Sequence, residues 1–224
     1  SAVQPQPPPP ADHAVAARAT SPHASSFLAG KGSPSTFRKR QCLAFLHIPK
    51  NAGSTMEAIR KELLEKNEPA FELVTASSCS EPIKDGSNKY CRVPGTKSQC
   101  PAYHLPPSKD PELQKWYSRC TTFCIVRNPY SKLLSEHIYR HGRCSLSSWK
   151  MFLKNLRSDL AKTPYMSSCH LVPQRKFVFG QNPASKKHEC QRVLKFESLS
   201  DDFGALATEF GIPAQLGKTH EKNH

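Results

Sequence analysis

Apolar residues along this chain fall into short runs separated by polar or periodic stretches. The first run, Gln41-Cys42-Leu43-Ala44-Phe45-Leu46-His47-Ile48, closes at Pro49 and has the near-continuous hydrophobicity of a strand buried on both faces. Small residues follow, Asn51-Ala52-Gly53-Ser54-Thr55, and then Met56, Ile59, Leu63 and Leu64 recur at helical spacing with Glu and Lys between them. A second strand is predicted over 121–126, Thr121-Thr122-Phe123-Cys124-Ile125-Val126, broken by Arg127-Asn128-Pro129. Leu133, Leu134, His137 and Ile138 then predict the buried face of a helix that begins near Tyr130, and Trp149, Phe152, Leu153 and Leu156 predict another. Phe177-Val178-Phe179 and Arg192-Val193-Leu194-Lys195-Phe196 read as short strands, and a last helix over 201–210 stops at Gly211, a C-cap position. Strands alternating with helices predict an α/β domain of three layers around a mostly parallel sheet, opened by a P-loop-like strand–loop–helix nucleotide site.

Two stretches depart from this pattern. Residues 1–36, rich in Pro, Ala, Ser and His with a run Pro7-Pro8-Pro9-Pro10, show neither period and predict a disordered stem or linker ahead of a domain over 37–224. Residues 75–110 read as an irregular insertion carrying Cys79, Cys91 and Cys100. Nine cysteines, none in paired CxxC spacing, argue for disulfides and an oxidising compartment rather than a metal site. The odd number leaves one thiol over, and Cys124, inside an apolar strand, is a candidate for it. No apolar run reaches the length of about 20 residues that spans a bilayer, so a membrane attachment or leader is expected only in a segment outside this sequence.

Net charge changes the picture most. At +14, the chain calls for a polyanionic partner: nucleic acid, phosphorylated nucleotide, anionic glycan or membrane surface. The string His47-Ile48-Pro49-Lys50-Asn51-Ala52-Gly53-Ser54-Thr55 offers a place for one. A tight strand-to-helix loop aims backbone N–H groups and a helix N-terminus at one point, which receives an anion. Gly53 permits close approach, Ser54 and Thr55 add hydroxyls and a candidate helix cap, and Lys50 adds a full charge at the mouth. The order of Lys and Gly differs from that of P-loop NTPases, which weakens a triphosphate reading. Arg127, ending the second strand, and Ser135, two helical turns on, can converge on one phosphate.

These two motifs resemble those of the membrane-bound, Golgi-type carbohydrate sulfotransferases. In that family a Pro-Lys-x-Gly/Ala-x-Ser/Thr loop holds the 5′-phosphosulfate of 3′-phosphoadenylyl sulfate (PAPS), and Arg-Asp-Pro-x-x-Arg-Leu-x-Ser binds its 3′-phosphate. Here the second motif stands as Arg127-Asn128-Pro129-Tyr130-Ser131-Lys132-Leu133-Leu134-Ser135, with Asn for Asp and Lys for Arg. Weaker similarity covers 168–174, a His-x-x-Pro-Gln element, and 194–199, a late strand and Glu; residues 218–224 could correspond to a nucleotide-covering tail. The resemblance implies PAPS as donor, cofactor-binding roles for Pro49, Lys50, Asn51, Ala52, Gly53, Ser54, Thr55, Arg127 and Ser135, and no metal. It implies a carbohydrate acceptor rather than nucleic acid, and a Golgi-lumenal (type II) or secreted location.

In-line transfer would need Lys50 to neutralise the leaving oxygen and a base to take the acceptor proton. His104, between the two motifs where similar enzymes place a catalytic His or Glu, is the first candidate, and His170 the second. His47 and His137 read as packing residues. Lys84, Lys89, Arg92, Lys97, Arg140, Arg143, Lys186 and Lys187 could line a groove for an anionic glycan. Two other classes compete: a non-catalytic polyanion-binding module on a nucleotide-binding fold, and a nucleotide kinase with an unusual loop.

Overall fold

The computed structural model describes residues 42–84, 89–142, 145–180, 188–214 and 216. The predicted stem, Arg143, Lys186, Lys187 and the tail at 218–224 therefore lie outside the described residues. Among those described, three strands form a parallel sheet in the order β1 (Leu43–Phe45), β4 (Thr121–Val126), β5 (Arg192–Lys195). The register sets Phe45 beside Phe123 and Ile125 beside Leu194. Glu72 extends the sheet past β1 through two backbone bonds, to Leu43 and Phe45. A second sheet is the hairpin of β2 (Tyr90–Arg92) and β3 (Gln99–Pro101), which is the structure inside the predicted irregular insertion.

Alternation along the strands sorts side chains to two faces. Leu43, Phe45, Phe123, Ile125 and Leu194 face α1 (Gly53–Glu65) and α6 (Leu199–Phe210), meeting Met56, Ile59, Phe203 and Leu206. On the opposite face Ala44, Leu46 and Cys124 meet the hairpin, α2 (Pro111–Tyr117) and α5 (Gln174–Val178). Three layers result, as the pattern predicts. Gly211 takes the left-handed conformation, φ 64°, that ends α6.

Four disulfides tie the described residues together, three of them inside the core on the hairpin side of the sheet: Cys42–Cys120, Cys79–Cys91, Cys100–Cys169 and Cys124–Cys190. Cys124 is thus bridged and is not the spare thiol; the ninth cysteine, Cys144, lies outside the described residues. A strand cysteine buried among apolar residues looks inert in sequence, yet its face turns toward the segment that enters β5.

Two further expectations fail locally. Phe177-Val178-Phe179 is helical rather than extended, because Pro173 starts α5 and Phe177 and Val178 then drop into the core from one turn. Three apolar residues are too few to distinguish the two periods. The face expected of α3 (Pro129–His141) also turns outward in part: Leu134 and Ile138 are exposed, while Lys132, Glu136 and His137 face inward. His137 does pack, against Trp149 and Phe152 of α4 (Leu146–Lys162), with Nε2 3.1 Å from Ser148 Oγ.

Candidate anion site at the carboxyl ends of β1 and β4

After β1 the chain stays buried to Ile48 and then turns sharply at Pro49. Lys50 (φ 67°) and Ala52 (φ 63°) are both left-handed, each at a cost of order 1 kcal/mol for a residue with a Cβ. Left-handed residues on either side of Asn51 fold the loop tightly, and the Asn51 N–H donates to the Ile48 carbonyl at 3.3 Å. Ala52 occupies the N-cap of α1 without a side-chain hydrogen bond. The cap expected of Ser54 or Thr55 is therefore absent, since both already lie inside the first turn. The leading N–H groups of α1 are left for an external acceptor. Gly53 has an additional reason to be glycine: the His47 imidazole occupies the space where its Cβ would be. His47 Nδ1 lies 3.3 Å from Glu57 Oε1 but out of line for a hydrogen bond.

The Arg127 loop meets this one directly. Arg127 Nη1 donates to the Lys50 carbonyl at 3.2 Å, and the guanidinium lies 4.0 Å over the Phe196 ring. Its Nε is buried with no partner among the described residues. Burial lowers the Arg127 pKa, and Glu197 opposes that shift. Glu197 also accepts from the Asn128 N–H at 2.8 Å, while Asn128 Oδ1 caps α3 through Tyr130 and Ser131. Asparagine thus does at 128 what aspartate would do there. Ser135 sits half-buried on α3 and makes no side-chain hydrogen bond among the described residues.

Asn51 places its side chain in the core. Its side chain is fully buried and donates to the Ile125 carbonyl (2.7 Å) and to Gln174 Oε1 (2.6 Å). Gln174 completes a clamp: Oε1 also accepts from the Arg127 N–H at 2.9 Å, and Nε2 donates to the Arg127 carbonyl at 2.8 Å. Gln174 belongs to the His-x-x-Pro-Gln element, but a single glutamine carries no signal that it bridges two loops. Gln174→Ala should strand the Arg127 N–H and one Asn51 donor, costing about 2 kcal/mol or more and lowering Tm by roughly 4–8 °C. Calorimetry on the variant measures it; an unchanged Tm would mean the loops hold each other without the clamp.

Lys50 Nζ lies 4.0 Å over the Tyr139 ring. Burial lowers its pKa, Glu136 pulls the other way, and Arg127 adds to the lowering. Lys132, in the place of the motif's second arginine, donates to the His170 carbonyl at 2.8 Å; burial pushes its pKa down to about 8, against Glu136 and with Lys50. Glu136 is 2% exposed and holds His170 Nδ1 at 2.7 Å and Arg140 Nε at 2.6 Å. Burial raises the Glu136 carboxyl, but His170 and Arg140 outweigh it and hold it below the usual range. Arg140, expected to line a glycan groove, is thereby committed inward. Lys84, Lys89, Arg92 and Lys97 are exposed around the hairpin, with Arg92 3.5 Å from Glu81.

His104 is buried. Its Nδ1 lies 3.1 Å from the Ser168 carbonyl, which can only accept, so the proton is on Nδ1. Burial, then His47 and His170, push its pKa well below the ordinary value. Its ring touches His47 (4.7 Å between centroids), Tyr103 (4.6 Å) and His170 (4.9 Å). A row of imidazoles thus runs from the Gly53 turn to Glu136. Glu136 escapes sequence reading because a glutamate between polar helix residues looks solvated.

Neither the curated proteins nor the solved structures compared with this chain match it. Residues 34–223 match the model of the sulfotransferase family. With that match running through both loops and most of the chain, the protein belongs to the sulfotransferase family, whose chemistry is sulfo-group transfer.

Proposed function

We propose that the protein moves a sulfo group from PAPS to a hydroxyl of a carbohydrate acceptor. The observation that carries this reading is the 3.2 Å bond from Arg127 Nη1 to the Lys50 carbonyl, which makes the two phosphate-type loops one surface. Open α/β sheets receive ligands at the carboxyl ends of their strands, and both loops lie there. The residues suit a nucleotide with phosphates at both ends: uncapped N–H groups and Lys50 for one, and Arg127, with its partnerless buried Nε, together with Ser135 and Lys132 for the other. PAPS supplies the activated sulfo group and a phosphate leaving group. Lys50 stabilises charge at the leaving oxygen, the loop N–H groups orient the donor, and one of the clustered imidazoles accepts the acceptor's proton. Exposed lysines around the hairpin favour an anionic glycan.

Four disulfides support an oxidising compartment, and among the described residues no helix is long and apolar enough to cross a membrane. A Golgi-lumenal location, with any anchor in a segment outside this sequence, or secretion fits the reading.

Adenosine 3′,5′-bisphosphate tests the donor. At a hundredfold excess over Kd it should stabilise the protein by about 2.7 kcal/mol, or roughly 5–10 °C, without Mg²⁺. Stronger stabilisation by ATP with Mg²⁺ would favour a kinase, and an effect of neither would favour a polyanion-binding module. Labelled PAPS offered with a panel of glycans then tests the acceptor. The pH dependence is diagnostic as well. A lysine with a pKa of about 8 is charged below that value and attracts phosphate; above it, binding must take up a proton. Bisphosphate affinity should fall between pH 8 and 9 by up to ~10-fold, and Lys132→Arg should flatten that fall. Calorimetric titration at several pH values would show a flat wild-type profile if Lys132 lies away from the phosphate.

A further inference from the structure

The row of histidines raises the question of which one takes the acceptor's proton. Sequence position favours His104, but the geometry does not. His104 has its Nδ1 on a neutral carbonyl, Ser168, and its ring is packed among three other rings. His170 instead directs Nδ1 to a buried carboxylate, Glu136 Oε2, at 2.7 Å. A carboxylate on one ring nitrogen fixes the tautomer, leaves Nε2 with its lone pair, and favours the imidazolium that forms on proton uptake. Arg140 Nε at 2.6 Å holds the other Glu136 oxygen, so the carboxylate is itself oriented.

Placement agrees. The Tyr139 ring is shared between Lys50 Nζ, 4.0 Å from its centroid, and the His170 ring, 5.6 Å away. Glu136 also acts electrostatically on Lys50, whereas the charged groups acting on His104 are His47, His170 and Lys132. His170, Glu136 and Lys132 line one cavity of about 320 Å³ between α3, α4 and the segment leading into α5. Nε2 of His170 has no hydrogen bond among the described residues.

We propose that His170 is the general base and Glu136 its positioning residue; this rests on the sulfotransferase reading above. In the step, an electron pair of the acceptor hydroxyl oxygen forms the new O–S bond. The S–O bond to the donor phosphate breaks with its pair leaving on the phosphate oxygen beside Lys50, and the hydroxyl proton ends on His170 Nε2. Solvent then takes that proton.

The groups facing His170 are Glu136, Lys132 and Tyr139 of α3, Arg140 through Glu136, and the His104 ring. Of these, Glu136 favours the charged imidazole, and Lys132 and Arg140 oppose it. Glu136→Gln should therefore weaken proton uptake by the ring, lowering kcat at least tenfold while the donor KM stays within threefold of wild type. His170→Asn should lower kcat by ~10²–10⁴-fold with bisphosphate affinity within threefold of wild type. His104→Asn should cost less than tenfold. A near-normal His170→Asn beside an inactive His104→Asn would overturn the proposal, and so would a Glu136→Gln enzyme with wild-type kcat. Imidazole NMR gives a readout apart from turnover: an Nδ1–H tautomer at His170 whose Nδ1 proton resonance shifts in Glu136→Gln. Should the wild-type protein neither bind the bisphosphate nor transfer sulfate, the function reading and the base both fall, whatever the spectra show. With binding and transfer intact, an unmoved His170 resonance sinks the dyad alone.

Discussion

Lys50→Ala is expected to lower turnover by ~10²–10³-fold, the usual cost of deleting one preorganised group that meets developing charge. The geometry makes this a clean variant. The Lys50 backbone carbonyl, which accepts from Arg127 Nη1, survives the substitution, so the two loops stay joined. Only the ammonium over Tyr139 is lost, and burial already disfavours that charge in the free protein. Stability should therefore change little or rise slightly, while kcat/KM collapses. Lys50→Arg should recover only part of the rate, because a planar fork cannot sit as a point charge at one oxygen. Single-turnover assays with labelled PAPS and a calorimetric Tm decide it; a rate within threefold of wild type would remove Lys50 from the chemistry.

Removing the fully buried Cys124–Cys190 bridge should have a large effect on stability. The bridge closes a separation of 66 residues and ties the central strand β4 to the entry of β5, with both cysteines fully buried. Chain-entropy reasoning puts its contribution at about 4 kcal/mol. Cys124→Ala with Cys190→Ala should therefore lower Tm by roughly 8–16 °C, provided that the protein still folds. A thiol count under denaturing, non-reducing conditions checks the premise: four bridges among nine cysteines leave one reactive thiol. Two or more reactive thiols in the wild-type protein would show that a bridge is missing.

Much of the fold was legible in residue order. β4 begins and ends where Thr121 and Val126 predict, α1 and α6 follow their apolar spacing, and Gly211 stops α6. Such features are local: a strand's run, a helix's period and a cap depend on neighbours in sequence. α2 went unread although Asp110-Pro111-Glu112 carries a capping signal, with Asp110 accepting from the N–H groups of Glu112 and Leu113, because the irregular stretch before it hid that signal.

By itself, then, the sequence determined the layered α/β class, the order of the two loops and their basic character. Tertiary structure decided the rest. It turned the inward face of α3 polar, with Lys132 and Glu136 in place of Leu134 and Ile138. It also paired Cys124 with Cys190, bound Gln174 across two loops, and joined His170 to Glu136 across 34 residues. The physical reason is common to all four. A buried polar group or thiol takes whatever partner folding brings within about 3 Å, and that partner comes from another element, which no local period encodes.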